Sequence, residues 1–228
     1  MSLFKLAVLI SGSGSNLQAV IDAVSNGTIQ NAKVELVISS REGVYGLERA
    51  KTHDITNMVI NRNDPEKLSK TLKEHKIDGI ILAGYLSMLP PDVVKTYSRK
   101  IINIHPALLP LFGGKGFYGI RVHQAVLASG VKYTGATAHL ADCEYDTGDV
   151  LVRSVVPVQA DDTAEILQKR VLEVEHKTLV KAVKALVEHN VEEMVRKPLL
   201  DINSCDEGDV HDYASGLLEL GNALKGNK

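Results

Sequence analysis

The stretch LAVLISGSGSNLQAVIDAV, residues 6–24, decides the fold. Its first five residues are all apolar, which is typical of a strand that is buried on both faces of a parallel sheet. A glycine-rich turn follows, and the apolar residues after that turn recur at helical spacing. The apolar segment VELVIS, which begins at Val34, predicts a second strand. Strand, helix and strand in this order form one βαβ unit.

The same alternation continues along the chain. The segments GLERAKTHD and PEKLSKTLKEHK are helix-like, and they alternate with the strand-like segments TNMVIN, GIILAG and IINIH. Four buried strands separated by helices predict an α/β fold, a Rossmann-like, doubly wound and mostly parallel sheet. The segments GATAHLAD and DVLVRSVVPV predict an antiparallel edge of that sheet. In such sheets, ligands bind beyond the carboxyl ends of the strands.

A long helix is predicted from about Asp162 to Glu188, because apolar residues recur there every three or four positions. The residues of this stripe are Ile166, Leu167, Val171, Val174, Leu179, Val180 and Val183. Residues 1–195 are predicted to form one domain. Residues 196–228 are predicted to be a carboxyl-terminal extension, and the sequence assigns it no role.

Composition excludes several classes of protein. The 228 residues are 44% hydrophobic and 24% charged, which is typical of a globular protein with one substantial core. The formal charge of -2 argues against nucleic acid and anionic membranes as partners. Two cysteines are too few for a disulfide framework or a zinc site, so we expect no metal and a reducing, cytoplasmic location. The first apolar run is far shorter than the roughly 18 residues that a membrane span needs.

The loop SGSGSN, residues 11–16, is a candidate phosphate site. Glycines permit a tight turn, and the free amides at the start of a helix favour an anion, so Gly12, Gly14, Ser15 and Asn16 are candidate ligands. The loop is neither a Walker A sequence nor a full dinucleotide fingerprint, because the defining lysine and the third glycine are missing. The alternative is a plain turn in which Ser or Asn caps the helix.

The segment IINIHPALLP, residues 101–110, places two polar side chains at the end of a buried strand. Asn103 and His105 lie on the same face, because side chains alternate along a strand, and Pro106 ends the strand. An amide can stabilise an oxyanion and an imidazole can transfer a proton near neutral pH, although both side chains can also serve local hydrogen bonds alone. The imidazole needs a carboxylate partner, and Asp146 in the turn EYDTGD is the candidate. On chemistry alone the alternatives stay open, namely Asp142, Glu144 and Asp149.

Three segments together resemble a known family: SGSGSNLQAVIDA, NIHPALLP and EYDTGDVL, followed by the Glu-His pair at 175–176. The chain is similar to the glycinamide ribonucleotide formyltransferases. The resemblance implies a formyltransferase domain that moves the formyl group of the co-substrate 10-formyltetrahydrofolate to the amine of glycinamide ribonucleotide, in de novo purine biosynthesis. It implies no metal, and a monomer or a homodimer.

The resemblance also implies roles for individual residues. The implied catalytic residues are Asn103, His105 and Asp146. The implied substrate contacts are Gly14, Ser15 and Asn16 for the phosphate and Glu175 for the ribose hydroxyls. The implied folate contacts are Leu86, Met88, Leu89, Asp142, Cys143 and Tyr145. From the residues alone, Glu175 is equally a solvated helical charge, and the apolar folate contacts are equally core residues.

Three further features remain open. His139 is near the site in the family, but it is equally a hydrogen-bonded core histidine. The glycine-rich segment 111–126, which contains His123, is a candidate lid. The rival functions are hydrolysis of the formyl group and a catalytically silent nucleotide-binding module. The phosphate loop argues against the first rival, and the retained Asn, His and Asp argue against the second.

Overall fold

The central strand of the sheet is β1 (Phe4–Ile10), as its continuous apolar sequence predicts. Leu6, Val8 and Ile10 pack in a core on one face of the sheet, while Ala7 and Leu9 pack in a second core on the other face. None of these five side chains is exposed to solvent. Burial on both faces explains why β1 shows no alternation of apolar and polar residues. The structure is a computed structural model that describes residues 2–201.

Helices and strands alternate through most of the chain. The remaining strands are β2 (Ala32–Ser39), β3 (Thr56–Val59), β4 (Gly79–Leu82), β5 (Ile101–His105), β6 (Tyr133–Leu140), β7 (Val150–Pro157) and β8 (Leu199–Asp201). The helices are α1 (Ser15–Ser25), α2 (Tyr45–Thr52), α3 (Pro65–Glu74), α4 (Pro91–Thr96), α5 (Ile120–Ser129), α6 (Ala164–Val187) and α7 (Val191–Arg196). The strand order is β3-β2-β1-β4-β5-β6-β7-β8.

The sheet confirms the predicted fold class. Strands β1 to β5 pair in parallel, and β6 pairs antiparallel with both β5 and β7. The chain runs outward from β1 through β2 to β3 and returns on the other side of β1 as β4. This reversal is the switch point at which doubly wound sheets bind ligands.

Two features of the structure differ from the sequence prediction. Helix α5 begins inside the segment that we treated as a candidate lid and continues beyond it, and its Val122 and Val126 are fully buried. Gly130 ends α5 in the left-handed conformation, with φ 70°, as glycine does readily. The assignment of Ile166 to the core stripe of α6 was wrong, because its side chain is 48% exposed. Ile166 lies in the first turn of α6, where its backbone amide donates to the side chain of the cap residue Thr163.

The predicted carboxyl-terminal extension begins inside the described residues. Strand β8 pairs in parallel with β7, so residues 199–201 extend the sheet by one short strand. The rest of the extension, residues 202–228, lies outside the described residues, and the boundary at residue 195 stays a prediction. Among residues 2–201, no helix has both the length and the hydropathy needed to cross a membrane.

Candidate active site

A cavity of about 710 Å³ opens at the carboxyl ends of β1, β4 and β5. The loop after β1, the segment 83–86 after β4 and the end of β5 form three of its walls. Residues 114–119 and one side of α6 complete it. The cavity therefore lies at the edge of the sheet where the switch point predicts a ligand.

The structure brings Asn103, His105 and Asp146 together at one wall of the cavity. Asn103 Nδ2 donates to Asp146 Oδ1 at 3.2 Å. His105 Nδ1 lies 3.4 Å from Asp146 Oδ2, and the side chains of His105 and Asp146 are only 5% and 9% exposed. The buried imidazole therefore has a buried carboxylate beside it.

The neighbouring acidic residues do not face His105. Asp142 Oδ1 accepts from the Glu144 amide at 2.9 Å and from Thr147 Oγ1 at 2.9 Å, which stabilises the turn itself. Asp149 accepts from Arg99 Nη1 at 3.1 Å on the surface. Geometry therefore selects Asp146, as the resemblance implied.

Hydrogen bonds determine where the imidazole protons lie. His105 Nε2 is 2.8 Å from the Phe112 carbonyl oxygen, so this nitrogen carries hydrogen and donates it. Its Nδ1 faces the Asp146 carboxylate, so a second proton on the ring completes a charged pair. His139 Nδ1 donates to the Leu140 carbonyl at 2.9 Å, and its Nε2 accepts from Asn103 at 3.0 Å. His139 Nε2 also lies 3.5 Å from Asp146 Oδ1, so this second imidazole belongs to the cluster and orients Asn103.

Burial and charge act in opposite directions on the cluster. Burial lowers the pKa of His105 below 6.5, while the Asp146 charge and the Phe112 carbonyl oppose this shift. Burial raises the pKa of Asp146, but the surrounding donors and imidazole rings outweigh it, so this pKa lies below 3.8. Asp146 is therefore ionised at neutral pH. The negative charge of Asp146 favours protonation of His105, which burial alone disfavours.

The segment 112–114 holds the cluster from the opposite side, a contact that no sequence pattern indicated. The Phe112 carbonyl accepts from His105, and the Gly114 amide donates to Asp146 Oδ2 at 2.9 Å. A Cβ atom at Gly113 would lie 2.4 Å from Leu109 Cδ2 and 3.3 Å from the Asp146 Cβ. A side chain at this position would therefore have to displace the Leu109 side chain and would press against Asp146.

The opposite end of the cavity is an amide cradle, formed by residues 13–16 at the start of α1. Gly14 is the N-cap residue, with φ 73°, and no side chain caps the helix. The part of the alternative in which a Ser or Asn side chain caps the helix is therefore wrong, while phosphate binding stays a prediction. Within residues 2–201, the backbone amides of Ser13 to Asn16 have no hydrogen-bond acceptor. Free amides at a helix start bind anions, so the cradle suits a phosphate.

Glu175 lies beside the cradle and lines the cavity, although α6 brings it from far along the chain. Its side chain is buried, so it is not the solvated helical charge that its sequence position also allowed. Burial raises the pKa of Glu175 to about 7, against the opposing effect of a hydrogen bond from Asn16. The buried Asn16 Oδ1 has no partner among the described residues. A ligand with hydroxyl groups would form hydrogen bonds with both Glu175 and Asn16.

The predicted folate contacts divide into two groups. Leu86 and Tyr145 line the cavity and are 42% and 41% exposed, as ligand-contacting apolar side chains are in an open site. Leu89 does not line it, because its side chain packs in the core beneath β4. Three others also lie outside the lining, namely Met88, Asp142 and Cys143.

Cations line the rest of the cavity wall. They are Arg41, Arg62, Lys115 and Lys169. In the described part of the chain, none of the four has a carboxylate within ion-pair distance. Unpaired cations beside an amide cradle favour an anionic ligand. His123 also lines the cavity, and burial lowers its pKa to about 4, so its ring is neutral there.

The chain is similar to known proteins in sequence. The family model described as "Formyl transferase" matches residues 4–183. The chain is 43% identical over 195 residues to a chloroplastic phosphoribosylglycinamide formyltransferase of Arabidopsis thaliana, covering 82% of this chain and 66% of that relative. Just under two thirds of the relative's length is therefore represented here.

Solved structures show the same fold. A phosphoribosylglycinamide formyltransferase from Anaplasma phagocytophilum superposes with a TM-score of 0.75 at 38% identity, covering 83% of this chain and 89% of that one. A formyltetrahydrofolate deformylase from Pseudomonas syringae superposes with a TM-score of 0.75 at 24% identity, covering 82% of this chain and 62% of that one. The second similarity extends to the fold alone.

Proposed function

The chain belongs to the formyl transferase family, and from this premise we propose that it moves the formyl group of 10-formyltetrahydrofolate to the amine of glycinamide ribonucleotide. One observation carries the proposal: a single cavity joins the amide cradle to the Asn103, His105 and Asp146 cluster. The cradle matches the phosphate of the ribonucleotide, and Glu175 with Asn16 matches its ribose hydroxyls. The cluster then lies where the amine and the formyl carbon meet.

The reaction needs an oxyanion to be stabilised. The amine nitrogen attacks the formyl carbon, the bond from that carbon to N10 of the folate breaks, and the attacking amine loses a proton that the leaving nitrogen gains. Asn103 and His105 are the donors for the intermediate oxygen. In the structure their N–H groups are bonded to Asp146, His139 and Phe112. Binding of the formyl group therefore exchanges an internal hydrogen bond for one to the ligand.

Asp146 has two roles in this mechanism. It orients the imidazole, and its charge stabilises the second proton on His105 at Nδ1. The positively charged ring then stabilises the developing oxyanion better than a neutral ring does. The proton passes from the attacking amine to the leaving nitrogen beside this pair.

The exposed side chains at the cavity mouth are our candidates for the folate contacts. Leu86 and Tyr145 present apolar surface for a planar ring. Arg41 and Arg62 lie on the same cavity lining, have no ion-pair partner among residues 2–201, and suit carboxylates. This set leaves out four of the contacts that the resemblance implied, because they do not line the cavity, namely Met88, Leu89, Asp142 and Cys143.

Hydrolysis of the formyl group is the rival reaction, because the deformylase shares this fold. Purified protein is mixed with 10-formyltetrahydrofolate, with and without glycinamide ribonucleotide, and folate absorbance is followed. Release that depends on the amine supports formyl transfer. Release without the amine supports hydrolysis, and no release under either condition supports a silent nucleotide-binding module. A cytoplasmic location and a monomeric or dimeric state stay predictions.

A further inference from the structure

Helix α2 packs directly behind the amide cradle. The Gly46 amide donates to the Gly12 carbonyl at 3.2 Å. From the next turn of α2, Arg49 Nε donates to the Ser13 carbonyl at 3.0 Å, and its Nη1 donates to Gln18 Oε1 at 3.1 Å. One guanidinium therefore connects the loop to helix α1.

These bonds fix the direction of the cradle amides. The peptide bonds of the loop are trans, so each carbonyl points away from the N–H of the same peptide unit. Arg49 draws the Ser13 carbonyl toward α2, so the Gly14 N–H points away from α2. By the same geometry, the bond from Gly46 turns the Ser13 N–H away from α2. Residues 12–16 line the cavity and no residue of α2 does, so both N–H groups point to the cavity side.

We propose that Arg49 is a positioning residue for the substrate phosphate, acting through the peptide unit that joins Ser13 to Gly14. The inference rests on the proposed function, because the ribonucleotide phosphate is the anion that the cradle receives. Arg49 touches no substrate in this account, since it does not line the cavity.

The role requires arginine rather than any cation. The planar guanidinium donates in two directions at once, to a carbonyl of the loop and to a side chain of α1. Its Cζ lies 4.9 Å from the centre of the Tyr45 ring, which restricts the side chain further. A lysine keeps the charge but supplies one compact donor group.

Two glycines allow α2 to come close enough for these contacts. A Cβ atom at Gly14 would lie 2.7 Å from the Gly46 Cα, and one at Gly46 would lie 3.2 Å from the Gly12 carbonyl oxygen. These are contacts with backbone atoms, which cannot rotate aside. The sequence GLERA in α2 therefore supplies Gly46, which permits the close approach, and Arg49, which donates the hydrogen bonds.

Steady-state kinetics of Arg49→Ala test the proposal. We expect KM for glycinamide ribonucleotide to rise about tenfold, the effect of losing a charge-assisted hydrogen bond that fixes a binding group. The turnover number and KM for the folate stay within about twofold, because the Asn103 cluster is untouched. In Arg49→Lys, KM stays several-fold above that of the wild type. Lys51→Ala is the matched control, because Lys51 lies on the same helix and, among residues 2–201, pairs only with exposed Glu48.

Three kinetic outcomes overturn the proposal. An unchanged KM in Arg49→Ala removes the positioning role. Full recovery in Arg49→Lys shows that charge alone matters. A loss confined to turnover places the effect at the chemical step instead of at phosphate binding.

A binding measurement separates this inference from the proposed function. Inorganic phosphate is titrated into ¹⁵N-labelled protein, and the amide signals of Ser13 and Gly14 are followed. We expect both signals to shift in the wild type and in Lys51→Ala, and to shift much less in Arg49→Ala at the same phosphate concentration. If formyl transfer is absent but these shifts occur and depend on Arg49, the proposed function fails and the positioning role stands. If phosphate leaves both amides unchanged in the wild type, the positioning role fails.

Discussion

Asp146→Asn removes one negative charge from the buried cluster and leaves its turn intact. Asp146 has φ 59°, a left-handed conformation that asparagine adopts as readily as aspartate. The carboxylate oxygen lies 3.4 Å from His105 Nδ1, and at an effective dielectric constant of about 20 two unit charges at that separation attract by about 5 kcal/mol. This value is a ceiling, because the asparagine amide still offers one oxygen to the cluster.

The substitution removes a hydrogen-bond acceptor as well as a charge. The carboxylate accepts from Gly114 and from Asn103, whereas an asparagine side chain has one accepting oxygen and presents N–H groups on its other side. One of the two donors therefore loses its partner. With a net loss of about 3 to 4 kcal/mol in the transition state, we expect turnover to fall by about two to three orders of magnitude.

The assay is amine-dependent release of tetrahydrofolate under saturating conditions, with the folded state checked by thermal unfolding. Asp149→Asn is the control, since Asp149 lies three residues away and pairs with Arg99 on the surface. Its turnover should match that of the wild type. Turnover of Asp146→Asn within threefold of the wild type would refute the role of the carboxylate.

Four other substitutions, one of them a control, test separate parts of the account. Glu175→Gln removes a group whose pKa rises from 4.5 to about 7 on folding, so the wild type loses about 3 kcal/mol of stability relative to this variant as pH rises through that interval. Denaturant unfolding at pH 4.5 and pH 8 measures this, and parallel stabilities would contradict the burial of the carboxyl. Thr137→Val leaves a buried amide and a buried carbonyl of segment 107–109 unpaired and should cost about 2 to 4 kcal/mol. Thr134→Val on the same strand removes a buried hydroxyl without a partner, so it should be neutral or stabilising, and equal losses would refute the distinction. Gly14→Ala forces a left-handed residue against Gly46 at 2.7 Å and should raise KM for the ribonucleotide, whereas an unchanged KM would show that the cradle tolerates displacement.

The parts of this molecule that depend on local pattern followed from the sequence. Strand β5 places Asn103 and His105 on one face because strands alternate, and β1 is central because its side chains fill two cores. The turn of Asp146 was identifiable as the source of a carboxylate. The choice among its acidic residues required the family resemblance.

Contacts between distant segments could not be predicted in this way. Nothing in the residues around Phe112 indicates that its carbonyl meets His105, or that Arg49 reaches Ser13 from another helix. Helix α5 carried a signal that was missed, because Val122 and Val126 are spaced by four and Gly130 follows as a cap. The glycines that precede α5 favoured the interpretation of this segment as a loop.

A crystal structure with glycinamide ribonucleotide bound tests the central claim most directly. We predict the phosphate on the amides of residues 13–16, the ribose hydroxyls at Glu175, and the amine directed toward Asn103 and His105. A ribonucleotide whose phosphate lies away from the cradle, or whose amine points away from His105, would contradict the account.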